Sequence, residues 1–347
     1  MRKNICVVCL ILLIVAILSG CKSDDYKSAV TLQEAGDYAA ALEIYTTLGS
    51  YKDSADRASQ CSNAISYNNA VELQSAGSYA DALEIFNAIK GYQDTDERIV
   101  YCESIIAAID AYNAATHSLS AKNDALNAQI SAAEDLMKSG DPALDPDLTP
   151  ALEAAITNAH DSLVSLIDMP EDAHAILAAA ADMEAVDYTL VSGSLSSAQT
   201  ALEQSIAQYA LVNAPAEDYI VDCISQVPGV IAVAAATEDT DDNNLLGKAG
   251  SYYARIVFSY ELVGNSSAQG ASLVSKGTDC GGSIEVFNTV EDAEKRNAYL
   301  GAFDGTIFDS GSHTVIGTVL VRTSSKLKAS QQQELESAII ETLTTLP

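Results

Sequence analysis

Tryptophan is absent from this chain of 347 residues, phenylalanine occurs five times, and only 18 basic side chains stand against 48 acidic ones. With so little bulky aromatic surface, an alanine-rich core has to form by close helix-on-helix packing, and the 16 tyrosines supply most of the ring contacts. The shortage of positive charge leaves a formal net charge of −30. Such a surface repels phosphate backbones and anionic headgroups, which argues against nucleic acid as a partner. Long apolar runs are also missing. The single unbroken stretch, Ile5 to Leu18, is shorter than the roughly 20 residues of a comfortable bilayer span. Nor is there a G-x-S-x-G, H-E-x-x-H, phosphate-loop or dinucleotide pattern. The chain therefore reads as a non-enzyme, with no catalytic or cofactor-binding residues assigned.

The short apolar run is informative through its flanks. Arg2 and Lys3 precede it, and it ends in Leu18-Ser19-Gly20-Cys21. A positive start, a short apolar segment and small residues at a cut site make a secretory signal peptide, here residues 1–20. Leu-Ser-Gly-Cys resembles the lipobox of bacterial lipoproteins. The resemblance implies lipidation of Cys21 on sulfur and attachment to the outer face of the cell membrane by acyl chains such as palmitate. Two chains on one cysteine give the dual signal that stable anchoring needs, at about 0.8 kcal/mol per buried methylene. Loss of Arg2 and Lys3 leaves 16 basic and 48 acidic side chains, a charge of −32 on the mature chain.

Cys6 and Cys9 leave with the signal, so Cys61, Cys102, Cys223 and Cys280 remain, in a setting where disulfides persist. None of the four forms a C-x-x-C pair, which removes support for zinc or dithiol redox chemistry. Cys61 and Cys102 are equivalent positions of a repeat and read as small buried residues. Cys223 and Cys280 share the C-terminal region and are the candidate pair for a disulfide.

That repeat occupies residues 21–93. Tyr26 onward reads YKSAVTLQEAGDYAAALEIYTTLGSYKDS and Tyr67 onward reads YNNAVELQSAGSYADALEIFNAIKGYQDT, an ungapped offset of 41 residues running through Cys61/Cys102. Gly36/Gly77, Tyr38/Tyr79, Ala41/Ala82, Leu42/Leu83 and Tyr45/Phe86 recur. The pattern resembles the tetratricopeptide repeat, whose period is about 34, so the extra residues are expected to lengthen the first helix of each pair. Tyr79, Leu83, Phe86 and Ile89 make one helical face. Gly36 and Gly77 suit left-handed helix ends, while Asp53 and Asp94 suit helix N-caps. Two repeats fall short of the three or so that a solenoid needs, so the next helix must cap them.

Residues 94–213 read as a helical bundle or coiled-coil stalk. Ile105, Ile109, Tyr112, Thr116, Leu119, Asn123, Leu126, Ile130, Ala133 and Met137 step by three and four. Gly140, Pro142 and Pro150 punctuate a loop. Leu152, Ile156, Ala159, Leu163 and Leu166 continue the spacing on a second helix. A third starts near Pro170 and runs to about Leu211, with a break expected near Ser192-Gly193-Ser194. An antiparallel three-helix bundle satisfies these faces. His117, His160 and His174 show no ligand spacing and read as surface or interhelical residues.

Residues 214–347 change character. Helices are expected over 217–226, 290–303 and 330–346, and strands over 230–236, 252–260, 271–276, 283–288 and 313–322. The fold class is thus multi-domain, all-α pairs and bundle followed by an α+β sandwich with helices on one sheet face. The stretches TEDTDDNNLLGKAGSYYARIVF, KGTDCGGSIEVF, EDAEKRNAYLGAFDG and GSHTVIGTVLVRTS resemble a C-terminal module of Gram-positive surface proteins and lipoproteins, which implies a cell-envelope context.

Two local patterns carry candidate chemistry. Asp239, Asp241 and Asn243 place oxygen donors at alternate positions, as a hard cation such as calcium requires, although Gly250 replaces the distal bidentate glutamate. Asn244 can take the left-handed conformation that this turn would need. Asp279-Cys280-Gly281-Gly282 with Ser312-His313-Thr314-Val315 resembles the Cys and His stretches of bacterial cell-wall cysteine peptidases. That resemblance implies a thiolate–imidazole dyad and an alternative role as peptidase or amidase. The leading expectation is a membrane-anchored, non-enzymatic protein that presents its C-terminal module to a protein, peptide or cell-wall partner.

Overall fold

A computed structural model describes residues 22–263, 269–307 and 309–347. The signal segment and Cys21 lie outside them. Two compact units emerge, one taking the chain up to Lys122 plus Val164–Val186, the other Asn123–Leu163 plus Asp187–Pro347.

The first unit is helical. Helices α1 (22–34), α2 (Tyr38–Leu48), α3 (Ser54–Ser75) and α4 (Tyr79–Ala88) lead into the long α5 (Thr95–Ser139). Repeat equivalents build two matching clusters. Ala29, Ala41, Tyr45 and Cys61 pack together in the first, and Ala70, Ala82, Phe86 and Cys102 in the second. Gly36 and Gly77 close their helices at φ +83° and +82°, as the repeat required. The start of α5 supplies Ile99 and Cys102, and so caps the second pair.

Asp53 and Asp94 depart from the expected capping role. Neither satisfies its helix N-terminus through the side chain. Instead Asp53 accepts the Tyr26 hydroxyl at 2.6 Å and pairs with Arg57 at 2.9 Å, while Asp94 does the same with Tyr67 at 2.6 Å and Arg98 at 3.0 Å. Gln33 and Gln74 complete the two clamps by accepting from Arg57 and Arg98.

The seam of α5 is buried in two settings. Ala115 and Leu119 pack on Ala180 and Met183 of α7 (Ala173–Glu184) within the first unit. Leu126, Ile130 and Ala133 pack on Leu152 and Ala159 of α6 (Leu148–Ser162) and on Leu195 and Leu202 of α8 (Thr189–Val212) within the second. Two sequence expectations fail here. The second helix stops at Ser162, with Leu163 in extended backbone and Leu166 outside any helix or strand. The break in the third falls at 185–188, after Ala185 closes α7, whereas Ser192-Gly193-Ser194 lie inside α8.

The rest of the second unit follows α9 (Glu217–Gln226) with a five-stranded sheet. Its strands are β1 (Val230–Ala235), β2 (Ala254–Tyr260), β3 (Gly281–Val286), β4 (His313–Ile316) and β5 (Val319–Thr323). They run in the order β1-β2-β3-β5-β4, every neighbour antiparallel. Helices α10 (Leu273–Lys276), α11 (Val290–Gly301) and α12 (Ala329–Thr344) complete it. Residues 271–276 were expected as a strand. Ser272 instead accepts from the Ser275 N–H at 3.2 Å and caps the short α10. The stretch 313–322 is not one strand but a hairpin turning at Gly317, φ +56°.

Helices cover both faces of this sheet, not one. Ile256, Phe258, Ile284, Val286, Val319 and Val321 meet α9 and α12 through Ile220, Ile224, Leu335, Ile339 and Leu343. On the other face Leu320, Tyr252 and Phe287 meet Ala293 and Leu300 of α11. Burial on both sides explains why β2, β3 and β5 are enclosed along their length. The expected boundary at 213/214 is not a seam. Val212 belongs to the sheet core, and its carbonyl accepts from the Thr318 N–H at 2.9 Å.

Gly282 sits where β2, β3 and β5 crowd together. An added Cβ would lie 2.3 Å from the Phe258 ring and 2.4 Å from the Arg322 carbonyl oxygen. The substitution Gly282→Ala is therefore expected to cost about 1–3 kcal/mol of stability, the range for an overpacked core. Urea unfolding of the chain from residue 22 measures it, and an unchanged midpoint would show that this packing is looser than described.

Candidate functional site, an arginine-lined cleft

Each inner strand carries one charge inside an otherwise apolar or small-residue run: Arg255 in ARIVFSY, Glu285 in GGSIEV and Arg322 in VLVRT. Side chains alternate across a strand, so register decides whether these charges meet. Arg255 lies directly opposite Glu285, and Ser283 opposite Arg322. All three charges thus share the face covered by α11. That helix is capped by Thr289, which accepts from the Asp292 N–H at 3.1 Å, and it brings Arg296 over the same face.

Glu285 is the centre of the cluster. Its carboxylate accepts from Arg296 Nε at 2.9 Å and from Arg322 Nη1 at 2.7 Å, and none of its surface is exposed. Burial by itself would push this carboxyl up, but the Arg322 and Arg296 guanidiniums override it and hold the group below the ordinary glutamate value. Arg322 also donates to Ser310 Oγ at 3.0 Å.

Beside this triad the loop 237–247 folds around Asp241, which is 4 % exposed. Its carboxylate accepts from the Leu245 and Leu246 N–H groups, the Tyr252 hydroxyl and Arg255 Nη1, all within 3.0 Å. Burial opposes its charge, yet these donors hold its pKa below the ordinary aspartate value. Burial pushes the Tyr252 hydroxyl up, with the Asp241 carboxylate adding to it.

Of the three residues expected to ligate calcium, Asp241 pairs with Arg255, Asp239 is exposed, and Asn243 donates its amide to the Tyr252 hydroxyl at 3.0 Å. Asn244 does adopt φ +53°.

The proposed disulfide partners are also apart. Cys223 lies in the core between α9, α12 and the sheet. Cys280 packs with Val257 and Leu273 against the opposite face, donating to the Gly277 carbonyl at 3.0 Å. Both are free thiols, and burial pushes both up. Cys280 and His313 form no dyad either. The His313 ring is held by Asn297 Oδ1 at 2.6 Å and Asp304 Oδ1 at 3.1 Å. His160 meets Glu134 on the surface, and no group of three metal-ligating side chains occurs among the described residues.

A cleft of about 810 Å³ opens above the ionic triad, lined by Arg296, Arg322, Asn243 and Ser310 on its polar side and by Leu245, Leu300, Tyr299 and Phe303 on its apolar side. Sequence reasoning found the strands but missed these residues. The available signal was a single charge embedded in each of three strand-like runs, in the order Arg, Glu, Arg. No protein-family model, curated protein or solved structure matches the chain.

Replacing the central carboxylate by an amide leaves two buried guanidiniums without a counter-charge. Glu285→Gln is expected to destabilise the protein by about 3–5 kcal/mol, as for one-sided loss of a buried pair. Because Glu285 titrates below its ordinary value, its stabilising share holds at neutral pH and disappears as pH falls below that value through the folded-state pKa. Urea midpoints between pH 7 and pH 3 should therefore converge for the native chain and Glu285→Gln. Separately, thiol titration of the unreduced, denatured chain from residue 22 should find Cys61, Cys102, Cys223 and Cys280 all reactive. Loss of two equivalents would mean that Cys223 and Cys280 are bridged.

Proposed function

We propose that the chain is a lipid-anchored binding protein of the Gram-positive cell envelope. Cys21 carries the anchor on the outer face of the cytoplasmic membrane, and the C-terminal module presents the cleft to a protein, peptide or cell-wall partner. The observation that carries the reading is Leu18-Ser19-Gly20-Cys21 placed directly after a basic start and a short apolar run. Among the described residues no helix is long and apolar enough to cross a membrane. The strongly acidic surface excludes attraction to anionic headgroups as the source of binding.

The test is fractionation of cells expressing the native chain or Cys21→Ala, with mass analysis of the purified native protein. Membrane recovery and a diacylglycerol mass on Cys21 are expected for the native chain, with loss of both in the variant. Equal membrane recovery of the variant, or an unmodified thiol at residue 21, would overturn the anchor.

A further inference from the structure

The arginine cluster carries more positive charge than its own carboxylates neutralise. Arg255 and Asp241 form one closed pair at 2.8 Å. The remaining carboxylate, Glu285, is shared between two guanidiniums, Arg296 and Arg322. One positive charge is therefore uncompensated, in a chain whose formal charge is −30. A buried surplus charge is costly unless something pairs with it. Arg322 is 7 % exposed and lines the cleft; its Nη groups donate to Glu285 and Ser310, and its Nε–H is buried without a partner. Arg296 commits Nε and Nη2 to Glu285. Two guanidiniums sharing one carboxylate at the wall of a cavity are an arrangement that favours a second, incoming carboxylate.

The rest of the lining is apolar. Tyr299 and Phe303 stand edge to face with ring centroids 5.2 Å apart, and Leu245 and Leu300 extend the surface. Tyr299 is 57 % exposed, so its ring is open to a ligand. Polar groups and apolar side chains in equal number around a cleft of this size fit an organic ligand that carries both. With one surplus charge, the site matches a monoanion better than a phosphate dianion.

We propose that the cleft binds a carboxylate borne on an apolar or aromatic body, the carboxylate pairing with Arg296 and Arg322 and the body resting on Tyr299 and Phe303. A free small acid and the C-terminal residue of a peptide offer the same chemistry. This inference rests on the reading of the C-terminal module as the binding part of the protein, but does not depend on the anchor.

Isothermal titration of the chain from residue 22 tests it, with N-acetyl-L-phenylalanine, its C-terminal amide, and acetyl-Gly-Gly-Gly-Phe as probes. The acid is expected to bind at least tenfold more tightly than the amide, and more weakly as salt rises. Arg296→Gln should abolish that preference, and Tyr299→Ala should weaken the acid at least fivefold. Tyr299 is 57 % exposed and meets Arg296 only through its ring face, 5.4 Å from the guanidinium, so its variant remains informative if Arg296→Gln fails to fold. Binding of the tetrapeptide as tight as the short acid assigns a peptide C-terminus, and binding of the short acid alone assigns a free metabolite. Equal binding of acid and amide, or no heat from any probe at 10 mM (about the weakest affinity worth calling recognition), would overturn the proposal. Because the chain tested starts after Cys21, a negative result here sinks the ligand class and leaves the anchor standing, and the fractionation experiment does the reverse.

Discussion

Glu285 organises the C-terminal part of the molecule by sitting between two guanidiniums in a space closed to water. A carboxylate so enclosed is tolerable only when paired, and here the pairing reaches three elements at once. It ties β3 to β5 through Arg322 and ties the sheet to α11 through Arg296. The same constraint pins register. A slip of one residue in any inner strand would turn its charge into the apolar layer formed with α9 and α12. The cleft is a consequence of this arrangement, since α11 and the loop 237–247 are held at its rim by ionic contacts to the sheet.

The amino-terminal unit applies a weaker version of that device twice. Tyr26, Asp53, Arg57 and Gln33 form one polar clamp, and Tyr67, Asp94, Arg98 and Gln74 its copy 41 residues later. Arg57 and Arg98 are about a quarter to a third exposed, at 30 % and 27 %. Solvent screens such pairs, and their share of stability is small beside that of the ring clusters beneath them. Their contribution is geometric, because the aspartate that begins each long helix is tied to the tyrosine two helices earlier. Duplication of the clamp with the core supports descent of both pairs from one unit, independently of apolar spacing.

Both chemical patterns that stood out in the sequence resolve into structural parts. The oxygen-rich loop is an anchor whose aspartate neutralises Arg255, and Cys280 and His313 are separately engaged by their own neighbours. The positions with functional promise are ones that looked ordinary, an arginine at the end of an apolar strand and a tyrosine on the exposed side of a helix. In the proposed role the acidic exterior and the arginine-lined cleft complement each other. The surface repels anions in general, and the cleft admits those whose apolar body repays entry.

Much of the fold was legible because it is local. The 41-residue repeat, the left-handed glycines Gly36 and Gly77, the helix at 217–226 and the strands around 230 and 254–260 all follow from periodicity and turn chemistry within a short window. The failures differ in range. The strand expected at 271–276 became a turn capped locally, by Ser272 on the Ser275 N–H, whereas the stretch 313–322 folded back at Gly317 beside Val212 and the second sheet face acquired α11 through contacts with distant segments. Sequence by itself determined the charge, the repeat, the Leu-Ser-Gly-Cys pattern and the identity of most helices, since these depend on neighbours along the chain. Tertiary structure alone decided that Arg255, Glu285, Arg296 and Arg322 share one buried face. Strand register and helix docking are long-range choices that no window of sequence contains.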